Sequence, residues 1–136
     1  MNKIALFTLV SSLTLLSCST SKSGIILKDL DNKDELSLTL KTSDTLRITM
    51  EGNVTTGYNW YYNEIPENAT VKIVKDTYEE RGEKKPEGWV GAPSTKVYDI
   101  VAPQTGKYTL KFEYKRGWET NAPAKLKTIN LNVVKP

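Results

Sequence analysis

The sequence predicts an all-β protein, an immunoglobulin-like antiparallel β-sandwich of seven or eight strands. Three observations carry this expectation. Short segments rich in Val, Ile, Thr, Tyr and Phe alternate with turn residues almost to the C-terminus, and none shows sustained helical periodicity. The segments recur at the regular intervals of a sandwich. Finally, Thr105-Gly106-Lys107-Tyr108-Thr109-Leu110 has the form of a tyrosine corner, in which a hydroxyl at the start of a late strand reaches back to upstream backbone. Leu110 stands where antibody domains place a bridging cysteine, so an apolar core has to hold the sheets together without a disulfide.

In order along the chain, residues 24–30 form an extra edge strand, and residues 36–40 follow with Leu36, Leu38 and Leu40 on one face. Residues 45–50 turn Leu46, Ile48 and Met50 inward. Strands are expected at 58–62, 70–77, 95–102, 107–114 and 125–134. Residues 107–114 show the clearest half-buried pattern, with Tyr108, Leu110, Phe112 and Tyr114 alternating with Lys107, Thr109, Lys111 and Glu113.

The segment before the first strand reads as an export signal. Lys3 supplies the positive start, residues 4–16 are an apolar run too short to span a bilayer, and small polar residues follow. Leu15-Leu16-Ser17-Cys18 resembles the bacterial lipobox, whose cysteine is acylated after cleavage. This gives three expected regions: a lipoprotein signal peptide at 1–17, a tether at 18–24 with lipidated Cys18, and a folded domain at 25–136. The expected location is the cell envelope outside the cytoplasm, periplasmic or at the cell surface. Removing residues 1–17 leaves 119 of 136 residues, enough for one domain with a core and acting as a monomer.

Composition excludes several functions. Histidine is absent and Cys18 is the only thiol, which removes His-dependent nucleophile systems and the usual zinc sites; carboxylates and lysines remain as possible catalytic groups, but the sequence suggests no carboxylate pair in a cleft, so no cofactor, metal or catalytic residue is expected. The formal charge of +3 is too mild for nucleic acid, and the lysines read as solvated strand faces. Asp29-Leu30-Asp31-Asn32-Lys33-Asp34-Glu35 weakly resembles a calcium loop, but Lys33 stands where a ligand is wanted and the segment reads as a turn.

Strand alternation brings three connections to one pole. The first, 51–57, contains Asn53-Val54-Thr55-Thr56-Gly57-Tyr58, where Gly57 allows unusual backbone angles and two threonines offer hydroxyls. The second, 78–94, is long enough to be functional or disordered and carries Trp89, Gly91, Ala92, Pro93 and Ser94 among small residues. The third, 115–124, carries Arg116, Gly117 and Trp118. Trp and Arg are enriched at binding hot spots, so this pole is the expected contact surface.

These three loops resemble those of the chagasin-like inhibitors of papain-type cysteine proteases. The family pattern has Asn-Pro-Thr-Thr-Gly-Tyr in the first loop, matched here at five of six positions by residues 53–58. Its second motif, Gly-x-Gly-Gly, becomes Gly91-Ala92-Pro93-Ser94, and its third, Arg-Pro-Trp, becomes Arg116-Gly117-Trp118. The resemblance implies reversible, competitive, non-covalent inhibition by three loops inserted into the protease cleft. Thr55, Thr56 and Gly57 would approach the catalytic centre, Gly91 to Ser94 would line the substrate channel, and Trp118 with Arg116 would grip the opposite wall. An immunoglobulin-like surface lipoprotein that binds a non-protease protein or glycan through the same pole is the alternative.

Overall fold

The computed structural model describes residues 22–65, 70–80 and 93–136. The signal segment, Cys18, Trp89, Gly91 and Ala92 lie outside the described residues. Eight strands are seen among the latter: β1 Ile25–Asp29, β2 Glu35–Lys41, β3 Thr45–Gly52, β4 Tyr58–Ile65, β5 Lys72–Glu80, β6 Ser94–Val101, β7 Gly106–Arg116 and β8 Lys125–Val134. They form two four-stranded sheets, in the order β1-β3-β6-β5 and β2-β8-β7-β4. The predicted sandwich is therefore present, extra edge strand included.

Its pairing departs from a fully antiparallel pattern at one edge of each sheet. β1 runs parallel to β3, with Ile25 beside Thr45, and β2 runs parallel to β8, with Glu35 beside Thr128. The reason is topological: β1 and β2 lie in different sheets, so the strand between β1 and β3 belongs to the other layer and the two neighbours point the same way.

Alternation decides what is buried. Leu46, Ile48 and Met50 on β3, Leu110, Phe112 and Tyr114 on β7, and Ile129, Leu131 and Val133 on β8 meet Trp60, Tyr98 and Ile100 in a single core. Such a core takes the place of a disulfide, and truncating Phe112 to Ala would cost about 3–5 kcal/mol. The tyrosine corner is formed, with Tyr108 Oη donating to the Gln104 carbonyl at 3.1 Å. Across β3 and β6, Arg47 holds Asp99 through two hydrogen bonds of 2.6 and 2.7 Å. That guanidinium keeps the Asp99 carboxyl below its usual range.

Two lysines are not on solvated faces. Lys96 and Lys127 are 5% and 4% exposed. A buried ammonium is tolerated when it is paired and hydrogen-bonded, and both meet that condition. Lys96 pairs with Asp76 and lies 4.4 Å from the centroid of the Tyr78 ring. Lys127 donates to the carbonyls of Leu30 and Lys33, the latter at 2.8 Å. The turn between β1 and β2 thus wraps its carbonyls around a cation, and that cation is the chain's own Lys127.

Candidate functional site

Strand directions place four connections at one pole: the turn after β1, the link from β3 to β4, the link from β5 to β6, and the turn after β7. The link from β3 to β4 is built from its own sequence. Val54–Thr56 form one turn of 3-10 helix, capped by Asn53 in extended conformation at φ −139° and ψ 96°. Asn53 Oδ1 accepts from Thr55 N at 3.2 Å and from Thr55 Oγ1 at 2.6 Å. Thr56 Oγ1 donates to the Asn53 carbonyl at 2.8 Å. A short polar side chain ahead of a helical turn satisfies donors the turn cannot, which is why Asn stands there. Gly57 closes the turn in the left-handed region, at φ 79°. Both threonine hydroxyls are thus turned onto Asn53, while the side chains of Val54, Thr55 and Thr56 remain exposed.

Beneath the turn lies an aromatic platform. Tyr114 stacks on Tyr58 with ring centroids 5.2 Å apart and meets Trp60 at 5.0 Å. Tyr114 Oη also accepts from Asn53 N at 2.9 Å, and Trp60 Nε1 donates to the Glu51 carbonyl at 3.0 Å. Both ends of the 53–57 turn therefore rest on rings rooted in the core. The alternation of residues 107–114 places Tyr114 in the core; its hydroxyl contact with Asn53 spans 61 residues and has no local signal.

The turn after β7 brings the third motif alongside. Arg116 Nε donates to the Thr56 carbonyl at 3.1 Å, its guanidinium carbon lies 4.5 Å from the Tyr58 ring centroid, and Nη1 pairs with Glu119 at 3.0 Å. Arg116 is a brace between two loops, its charge held by Glu119. Trp118 is 72% exposed, yet its ring rests on the first loop: a Cβ added at Gly57 would lie 2.5 Å from Trp118 Cη2. Gly57 is thus required twice, for its backbone angle and for the space that the indole fills.

The second loop is described only at its feet. Glu80 ends β5, and Pro93 is exposed before β6 begins. Ser94 is buried, with its hydroxyl donating to the Gly52 carbonyl at 3.1 Å. It anchors the base of this loop to the end of β3. Of the residues singled out in sequence, the structure brings Asn53, Val54, Thr55, Thr56, Gly57, Tyr58, Arg116, Gly117 and Trp118 together, with Pro93 and Ser94 close to the end of β3.

The chain is similar to known proteins in sequence and fold. Residues 39–133 match the family profile described as chagasin family peptidase inhibitor I42. Amoebiasin-2 of Entamoeba histolytica is 32% identical over 89 residues, covering 65% of this chain and 69% of that one. Amoebiasin-1 of the same organism is 24% identical over 103 residues, covering 76% of this chain and 95% of its own. Among solved structures, the crystal structure of the cysteine protease inhibitor EhICP2 from Entamoeba histolytica superposes with a TM-score of 0.70 at 26% identity, covering 82% of this chain and 97% of that one. PbICP-C, solved in complex with falcipain-2, shares the fold with a TM-score of 0.54 at 24% identity, covering 80% and 99%. The profile match spans most of the sandwich, and the chain belongs to the chagasin family of peptidase inhibitors.

Proposed function

We propose that the chain is a reversible, competitive, non-covalent inhibitor of papain-type cysteine proteases and performs no catalysis itself. The observation that carries this reading is the braced 53–57 turn at the tip of the sandwich, flanked by an exposed Trp118. Family membership supports the inhibitor role, and EhICP2 is itself described as a cysteine protease inhibitor.

The geometry suggests how such a turn would block a protease without being cut. Proteases act on extended chain, whereas Gly57 N donates to the Val54 carbonyl at 3.3 Å and curls residues 54–57 into a closed turn. Thr55, Thr56 and Gly57 would enter the catalytic cleft with no extended peptide to offer. Trp118 would pack on one wall, and the loop ending at Pro93 would lie along the other. Because both hydroxyls and the arginine are already bonded within the loop, little ordering entropy remains to be lost on binding. The interface would bury roughly 800 Å² per partner.

The lipid anchor on Cys18 belongs to the same proposal. The chain enters the sandwich at the pole opposite the turn, where Gly24 N donates to Asp44 Oδ1 at 3.1 Å and the Gly24 carbonyl accepts from Thr45 N at 2.9 Å. β3 has eight residues and at ~3.3 Å per residue separates the poles by roughly 26 Å. A monomer tethered through Cys18 outside the cytoplasm would thus direct its loops away from the membrane.

The test is steady-state inhibition of papain by residues 22–136 with a small peptide substrate. Competitive kinetics with recovery of intact inhibitor is expected, and mixed inhibition or cleavage within residues 53–58 would overturn the mechanism. With no histidine present, the inhibitor has no side chain with an ordinary pKa between about 5 and 8, so inhibition across that range should follow the enzyme's own ionisation. A profile identical for enzymes of different active-site pKa would contradict this.

A further inference from the structure

Gly117 stands where the family motif has proline, and its backbone does not take the positive φ that would require glycine, since Gly57 and Gly106 alone do so among the described residues. What Gly117 provides is room. A Cβ built there would lie 2.6 Å from Tyr61 Oη and 3.5 Å from Tyr61 Cζ. Tyr61 is opposite Glu113 in the β4–β7 register, so its side chain reaches along the outer face of β7 past Lys115, whose Nζ lies 5.7 Å from the ring centroid. The hydroxyl ends against the turn. The next residue, Trp118, makes the second close approach of the pair, its Cη2 filling the space beside Gly57.

We propose that Tyr61 is a positioning residue for this pole: its ring, reaching the turn at Gly117, sets the path of the backbone there and thereby seats Trp118 on Gly57. A Cβ at 117 requires the Tyr61 ring to move from this position, which fits Arg-Gly-Trp in place of Arg-Pro-Trp. The consequence for inhibition rests on the inhibitor reading; the seating of Trp118 does not.

The experiment is a double-mutant cycle in residues 22–136 with Y61F, Y61A, G117A and Y61F/G117A. It reads the Gly57 Hα chemical shift, which the Trp118 ring displaces when seated, together with thermal midpoint and papain inhibition. Gly117→Ala should abolish the Gly57 displacement and weaken inhibition about tenfold or more, because overpacking forces a backbone shift. Tyr61→Phe keeps the ring against Gly117 and should stay near wild type, while in the double variant the added Cβ meets only the ordinary 3.5 Å contact with Cζ, so both the displacement and the inhibition should return. Tyr61→Ala, at a residue 38% exposed, should lose the displacement with an unchanged thermal midpoint. The proposal is overturned if Tyr61→Ala keeps the Gly57 displacement, or if Y61F/G117A is as impaired as G117A. Should the wild-type protein inhibit no papain-type enzyme, the inhibitor reading fails and the Gly57 shift still decides the role of Tyr61.

Discussion

The turn at 53–57 directs both threonine hydroxyls onto its own cap, with Asn53 accepting from Thr55 and Thr56 bonding back to Asn53, whereas the turn at 117–119, closed by Glu119 N on the Arg116 carbonyl at 3.1 Å, is shaped by side chains from other segments. Tyr61 of β4 fills the space beside Gly117, Gly57 receives Trp118, and Arg116 reaches across to the Thr56 carbonyl. The turn at 30–34 is of the second kind, its carbonyls gathered by Lys127. A loop of the second kind requires the whole sandwich.

Four changes sharpen this contrast, beginning with the largest. Trp118→Ala removes an exposed hot-spot ring, and papain inhibition should weaken by about 2–4 kcal/mol with little change in thermal midpoint. A large loss of stability instead would show that Trp118 serves the fold.

Next comes alkali, which tests the aromatic contacts made between distant strands. Burial pushes the Tyr78 hydroxyl up to about 12 from an ordinary 10.0, and burial pushes Tyr98 up as well. A raised folded-state value means that this stability is complete below pH 10 and is lost as pH rises toward 12. Tyrosinate absorbance should therefore rise together with unfolding in that window, and ionisation of these rings in a still-folded protein would contradict the account.

Asn53→Ala should cost about 1 kcal/mol of stability through the lost cap and should raise amide exchange at Thr55 and Thr56 before anywhere else. The smallest effect is a gain. Val54 is the first residue of the 3-10 turn, where proline is favoured, so Val54→Pro should tighten inhibition by about 0.4–1 kcal/mol. Proline at 117, by contrast, would meet the Tyr61 hydroxyl. If both prolines act alike, the distinction between the loops collapses.

The same distinction explains what was legible in the sequence. Alternation in residues 107–114 gave the buried face of β7 directly, and the Asn-Val-Thr-Thr-Gly order marked a presenting loop, because both signals lie within a few residues. The buried states of Lys96 and Lys127 were not legible. Their partners Asp76 and Leu30 lie in other strands and turns, so nothing local distinguishes them from the exposed lysines around them. The fit of Tyr61 against Gly117 is hidden for the same reason, and it needs the β4–β7 register before it can be seen.

The most direct test of the central claim is a titration of papain with residues 22–136, read as residual hydrolysis of a peptide substrate. The account predicts complete, reversible inhibition with a dissociation constant on the order of nanomolar. Undiminished activity at micromolar concentrations of a demonstrably folded domain, against papain and related enzymes alike, would contradict it.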